Sequence, residues 1–232
     1  MKYYGDKINI SAEIVSIINS YIISKNIEIY VEPFVGGANI IDKVICSKKI
    51  GIDIDKYVIS LLQHMQSDGE LPNELDAVTY NDCLAHYKNK DSKYNDWYLA
   101  AVGILGSNNN KLFNKGKFSK SYSDNKNYLI EQSKYLKDIT FTCSDYRKLD
   151  IENSLIYIDA PRKSNSKTKF KVDELWEKAR EWSKNNIVLV SEITAPDDFI
   201  EVWRENNDEA CEKLFIHQSH NELDDRLSSY DF

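Results

Sequence analysis

The chain opens with apolar residues at helical spacing. Ile14, Val15, Ile17, Ile18, Tyr21 and Ile22 share one face over residues 10–23, which predicts an amphipathic helix. A β-branched run follows at Ile27, Ile29 and Val31, ends at Glu32-Pro33, and turns at Gly36-Gly37. Apolar periodicity from Ile40 then predicts a helix, so the segment reads as strand, glycine turn, helix. Residues 51–55 (GIDID) form a second short strand ending in acid, and 56–65 a helix. Asp68-Gly69 and Pro72 break the pattern. Residues 81–106 read as mostly helical and aromatic-rich, 108–123 as an irregular, polar loop, and 127–136 as a helix. Strand patterns return at 139–144, 154–159 and 187–192, with a helix at 173–183 carrying Trp176 and Trp182. Pro196, followed by Asp197 and Asp198, has the look of a helix start at 194–198. A last strand centres on Leu214 to Ile216.

Alternating strands and helices, interrupted by a helical block, predict an α/β fold with a mostly parallel sheet. The expected division is a core of residues 1–56 and 139–218, a helical insertion at 57–138, and an acidic tail at 219–232.

Composition adds limits. At 232 residues and 42% hydrophobic content the chain can bury a substantial core. No run of apolar residues is long enough for a membrane span, and the N-terminus lacks a signal-peptide pattern, so a cytoplasmic protein is expected, with no membrane partner. Cys46, Cys83, Cys143 and Cys211 are scattered, and His64, His86, His217 and His220 have no ligand spacing; neither a disulfide framework nor a metal site is suggested. The net charge of −7 argues against nucleic-acid binding at large. Its distribution changes the picture. From Glu201 onward nine acids face three bases, whereas residues 108–126 hold five lysines and one acid, and 162–171 hold five bases and no acid. Two basic loops in an acidic protein could meet phosphates, through Lys111, Lys115, Lys117 and Lys120 in one and Lys163, Lys167 and Lys169 in the other.

The glycines at 36 and 37 let the backbone approach a ligand closely. An acid at the tip of the second strand, Asp53, is placed to bind ribose hydroxyls, and Asp145, just past a strand, to accept a hydrogen bond from an adenine amino group. Together EPFVGGAN (residues 32–39), GIDID and the opening KYYGDK (2–7) resemble the Dam-type adenine-specific DNA methyltransferases, over roughly residues 1–218. The resemblance implies a Rossmann-like, S-adenosylmethionine-dependent methyltransferase fold, with a seven-stranded sheet, helices on both faces and a small helical insertion that reads DNA. It implies S-adenosylmethionine as cofactor, double-stranded DNA as partner and no metal. It places Tyr4, Lys7, Glu32, Phe34, Gly36, Gly37, Asp53, Asp145, Tyr146 and Asp159 at the cofactor.

The family carries Asp-Pro-Pro-Tyr after the fourth strand. The Asp carboxylate and a proline-held carbonyl accept hydrogen bonds from the adenine amine, and the ring stacks on the flipped-out base. This chain has Asp159-Ala160-Pro161-Arg162 instead. The polar loop GSNNNKLFNKGKF (106–118) also replaces a stretch usually richer in glycine and aromatics. The expectation is therefore a catalytically impaired or inactive member of the family. Two alternatives stay open: a pseudoenzyme that binds, regulates or acts as a decoy, with a protein partner of its own, and an engineered inactive variant.

Overall fold

The computed structural model describes residues 1–2, 7–161, 171–208 and 210–220. In chain order it contains α1 (Ser11–Ser24), β1 (Ile29–Glu32), β2 (Lys48–Asp53), α2 (Lys56–Gln66), α3 (Ala77–Asn89), α4 (Asp96–Ala100), α5 (Tyr122–Ser133), β3 (Ile139–Cys143), β4 (Leu155–Ile158), α6 (Val172–Trp182), β5 (Ile187–Glu192), β6 (Phe199–Arg204) and β7 (Lys213–His217). The strands form one seven-stranded sheet in the order β3-β2-β1-β4-β5-β7-β6. β1 to β5 run parallel, and β7 is antiparallel to both β5 and β6.

Alternation along the central strands makes two cores, because successive side chains point to opposite faces. Tyr30, Leu155, Tyr157, Leu189, Leu214 and Ile216 face one core with α1, α2 and α5. Val31, Ile156, Ile158, Val188, Val190 and Phe215 face the other, closed by Leu175, Trp176, Ala179 and Trp182 of α6. Helices thus cover both faces. β4 is buried throughout, as a central parallel strand should be.

Helix starts follow local chemistry. The Asp55 carboxylate accepts from Tyr57 N at 2.9 Å and caps α2, and that of Asp76 accepts from Thr79 N at 2.7 Å and caps α3. α2 packs on β2, β3 and α4. After α4 the chain makes one π-helical turn, Ala101–Leu105. The loop beyond it is more ordered than its composition suggests. It is closed by a Ser107–Phe118 bridge and contains a short 3₁₀ turn, Asn114–Gly116. Phe113 is buried beneath it, and a Cβ on Gly103 would come within 2.6 Å of Leu112 and 2.9 Å of Phe113.

Three expectations need correction. No helix begins at Ile40; residues 39–43 form tight turns joined by a Lys43 N to Ile40 O bond of 2.9 Å. Ile40, Ile41 and Val44 are all buried, so their spacing reflected packing on the core. β2 begins at Lys48, which leaves too few residues for a helix, and the side chain of Asn19 takes the N–H of Ile45 at 3.0 Å. No helix begins at Pro196 either. A single turn, Phe199 N to Pro196 O at 2.9 Å, leads straight into β6. The β-branched and aromatic run there pairs with β7, while Asp198 is held by Arg180 of α6 at 2.5 and 2.8 Å. β6 itself was not anticipated. β2 also starts three residues earlier than the acid-tipped strand read from GIDID.

Candidate cofactor and catalytic site

Parallel strands present their carboxyl ends at one edge of the sheet. Glu32 ends β1 and Asp53 ends β2; Asp145 lies two residues past β3, and Asp159 one past β4. In the sheet order β3-β2-β1-β4 this makes a row of four acids, Asp145, Asp53, Glu32, Asp159. At the usual strand spacing the row spans roughly 15 Å.

The glycine turn is tied to this row. Gly36, at φ 45°, donates its N–H to Asp53 Oδ2 at 3.1 Å, and Asp55 N donates to Oδ1 at 2.9 Å. Burial raises the Asp53 pKa, and these bonds oppose the rise. The carbonyls of Gly37 and Ala38 each accept from Gln132 Nε2 of α5 at 3.0 Å. No helix N-terminus follows the turn, so the row meets backbone N–H groups of a turn instead.

Glu32 is 3% exposed and accepts the Tyr30 hydroxyl at 2.6 Å. Burial lifts its pKa to about 8, and the nearby charges of Asp42 and Asp159 add to the rise; the Tyr30 bond and Lys43 oppose it. Asp145 is in the opposite state. Arg147 donates to it from Nε at 2.9 and 3.1 Å, from its backbone N–H at 3.0 Å, and from Nη2. That guanidinium holds the Asp145 pKa down at about 2. Arg147 also lies 5.8 Å over the Tyr146 ring and 3.7 Å from Glu174 of α6.

Apolar surface completes this end. Phe34 and Tyr146 pack with centroids 5.0 Å apart. Ile54, between the tip of β2 and α2, is 67% exposed, a large apolar side chain left open beside the acids. Ile54 was not singled out from the sequence, although an isoleucine between two aspartates in a strand–helix turn was the available signal.

At the other end, Lys7 Nζ donates to Asp159 Oδ1 at 2.7 Å and lies 3.7 Å from Glu212 Oε1. Ser191 of β5 donates to the same Glu212 oxygen at 2.8 Å. Glu212 had no local signal, since only the reversal of β7 brings it to this edge. Ala160 is buried and Pro161 exposed. Tyr4, Arg162, Lys163, Lys167 and Lys169 lie outside the described residues.

Lys111, Lys115, Lys117 and Lys120 are exposed on the loop before α5, away from the strand ends in sequence and in element. Lys115 and Phe113 hold left-handed backbone, at φ 51° and 44°. Asn108, Asn109, Asn114, Lys115 and Lys117 line a depression of about 210 Å³ there. A larger hollow, about 450 Å³, opens at the opposite, amino edge of the sheet beside Asn26, Asn153 and Asn186. Among the described residues lining it there is no comparable acid row, so chemistry rather than volume makes the carboxyl edge the candidate site. Among the described residues no cluster of potential metal ligands is found, and no helix is long and apolar enough to cross a membrane.

A sheet ordered β3-β2-β1-β4-β5-β7-β6 with β7 reversed, and with acids at the parallel strand ends, is the Rossmann-like methyltransferase fold. The chain belongs to the D12 class N6 adenine-specific DNA methyltransferase family, whose model matches residues 3–189. Among solved structures it is similar to a protein described as the methyltransferase yhhF from Escherichia coli, at 7% identity and TM-score 0.41, covering 88% of this chain and 86% of that one. It is also similar to a protein described as an rRNA methylase from Clostridium thermocellum, at 8% identity and TM-score 0.39, covering 88% and 96%. No curated protein sequence matches it.

Proposed function

We propose that the chain binds S-adenosylmethionine along the acid row and addresses adenine in double-stranded DNA, but transfers the methyl group far more slowly than an Asp-Pro-Pro-Tyr site. The observation that carries this reading is the Lys7–Asp159 pair at 2.7 Å, standing at the end of the row directly before Ala160. The donor set fits the cofactor. Phe34, Tyr146 and Ile54 offer apolar faces to a purine, Asp145 an acceptor to its amine, Asp53 acceptors to ribose hydroxyls, and Glu32 with the turn at Gly36 and Gly37 polar contacts to an amino-acid end. The cofactor supplies, when bound, a methyl carbon made electrophilic by a sulfonium.

Asp159 accepts a hydrogen bond from the adenine amine in this reading, with Lys7 fixing one of its oxygens. The backbone carbonyl of Ala160 is the second acceptor, held less firmly than a proline would hold it. In sequence Arg162 stands where the family has the stacking ring, a cation in place of an aromatic. Losing a base stack costs ~1–3 kcal/mol, and a like charge brought within about 5 Å of the transferring sulfonium at an effective dielectric near 20 would add roughly 3 kcal/mol of repulsion. Even about 3 kcal/mol slows a step roughly a hundredfold.

The helical block at 57–138, inserted between the core segments 1–56 and 139–218, is the proposed DNA reader, with the exposed lysines of its loop on phosphates. A non-catalytic binding protein is the second reading, favoured by Arg147, which already occupies Asp145, the acid proposed for the cofactor's adenine. Calorimetry with S-adenosylmethionine, paired with methyl transfer to adenine-containing DNA, decides between them. Binding with slow turnover supports the first reading, and binding without turnover the second. Absence of binding overturns both. DNA affinity should fall steeply between low and moderate salt if the lysines meet phosphates.

A further inference from the structure

Gln132 is a buried amide, 5% exposed, on α5, a helix of the block proposed above as the DNA reader. The buried face of α5 is Tyr122, Asn125, Leu129 and Gln132, so half of it is amide. Asn125 fixes the helix within the block: its Nδ2 donates to Leu105 O at 3.0 Å and to Asn110 Oδ1 at 2.9 Å. About two helical turns further on, Gln132 reaches out of the block to the glycine turn after β1. Its Nε2 donates to Gly37 O and to Ala38 O, each at 3.0 Å, with Asp42 Oδ2 at 3.0 Å and Asn39 Oδ1 at 3.3 Å beside them. Backbone carbonyls only accept, so the end of the amide that faces them is the nitrogen.

Ala38 is the reason the turn needs such a hold. It is fully buried, and its φ of 57° lies in the left-handed region, where a Cβ is crowded. Backbone of that kind persists only where its surroundings over-determine it. The N–H groups of the turn are pinned from the core, Gly36 N on Asp53 Oδ2 and Ala38 N on Val35 O at 2.8 Å. The carbonyls are pinned from α5. Gly37 O has a second donor, Met1 N at 2.9 Å, whereas among the described residues only Gln132 donates to Ala38 O.

We propose that Gln132 is a positioning residue for the cofactor: by holding the Gly37 and Ala38 carbonyls it keeps the turn in the form that presents Gly36 and Gly37 to the ligand's amino-acid end. The helical block thereby builds part of the cofactor site as well as the DNA face. The inference rests on the cofactor reading above. Without the amide, Ala38 relaxes out of the left-handed region, and the cofactor has to select the binding form from a wider set.

The test is calorimetric binding of S-adenosylmethionine, with urea unfolding alongside, on the unaltered chain and five variants. Gln132→Met keeps the length and removes the donors, and affinity should fall about five- to tenfold. Gln132→Asn keeps an amide too short to reach the turn; it should lose affinity in the same direction, and it serves if Gln132→Met does not fold. Ala38→Gly has no Cβ to crowd at this φ and should bind nearly as the unaltered chain does. Combined with Gln132→Met it should recover most of the lost affinity. Leu129→Ala opens a cavity on the same face of α5; it should lower stability and leave affinity nearly unchanged. Gln132→Met or Gln132→Asn binding as tightly as the unaltered chain would overturn the proposal and leave the cofactor reading standing. So would a combined variant no better than Gln132→Met, or a loss in Leu129→Ala as large as in Gln132→Met, since the amide would then matter only to the packing of α5. An unaltered chain that does not bind S-adenosylmethionine overturns both.

Discussion

The backbone N–H of Gly36 and the carboxylate of Asp53 are joined by a hydrogen bond of 3.1 Å. It locks the turn after β1 to the tip of β2, with Val35 N to Ile52 O at 2.8 Å beside it. Two strands that run parallel are thereby fixed at the end where a ligand would sit. Asp53 shapes the turn and stands at the edge proposed for the cofactor; the sequence could suggest the second role but not the first.

Asp53→Ala should weaken S-adenosylmethionine binding by tenfold or more. It removes a proposed ribose acceptor and releases the turn. Hydrogen bonds to a charged group are each worth about 1.5–3 kcal/mol, so the fold should lose a similar amount. Asp53→Asn should keep part of the Gly36 bond and lose less stability. Calorimetry and urea unfolding on the three proteins check this; cofactor affinity unchanged in Asp53→Ala would remove Asp53 from the site.

Glu32 should make stability pH-dependent. Its pKa in the fold is about 8, above the 4.5 of an unburied carboxyl. The folded state then binds more protons than the unfolded state between those values. Its share of stability is whole below about pH 4.5 and is lost as pH rises toward 8. Glu32→Gln should remove that loss. Relative to it, the unaltered chain should lose up to about 1.4 kcal/mol per pH unit over this window. Urea midpoints at four pH values suffice, and parallel curves for the two proteins would contradict the assignment.

Arg147 competes with any ligand for Asp145. Arg147→Gln should therefore raise S-adenosylmethionine affinity several-fold at low ionic strength, and the gain should shrink as salt screens the pair in the unaltered chain. A fall in affinity would mean that the guanidinium itself contacts the cofactor.

How much was legible depended on whether the signal was local. β4 and β5 were visible because four or more consecutive apolar residues with β-branching, as in Leu155–Ile158, suit a strand buried on both faces. The acids at the strand ends were visible for the same reason, each following its own strand. Ile40, Ile41 and Val44 misled, because burial against a core in turns gives the spacing of one helical turn. β6 was hidden by its half-exposed edge position and by Pro196-Asp197-Asp198, which resembles a helix start. Lys7 came only through the family resemblance, since 152 residues separate it from Asp159. Glu212 could not be read at all, as its place depends on the direction of β7.

If the loss of rate lies at residues 160 and 162, Arg162→Tyr should recover part of it by removing a cation and restoring a stacking ring. The double change with Ala160→Pro should recover more by fixing the carbonyl that accepts the amine's second hydrogen bond. The stacking term alone, ~1–3 kcal/mol, corresponds to about five- to a hundredfold in rate. Cofactor affinity should move less than rate, because Glu32, Asp53 and Asp145 are untouched. Methyl transfer to adenine-containing DNA, measured beside calorimetry on all three proteins, separates the outcomes. An unaltered chain with a normal rate would refute the impairment outright. A double variant that binds cofactor but methylates no DNA would shift the fault to the loop at 108–120. Its exposed asparagines and lysines would then have failed to deliver a base to Asp159, however well the acceptor pair had been rebuilt.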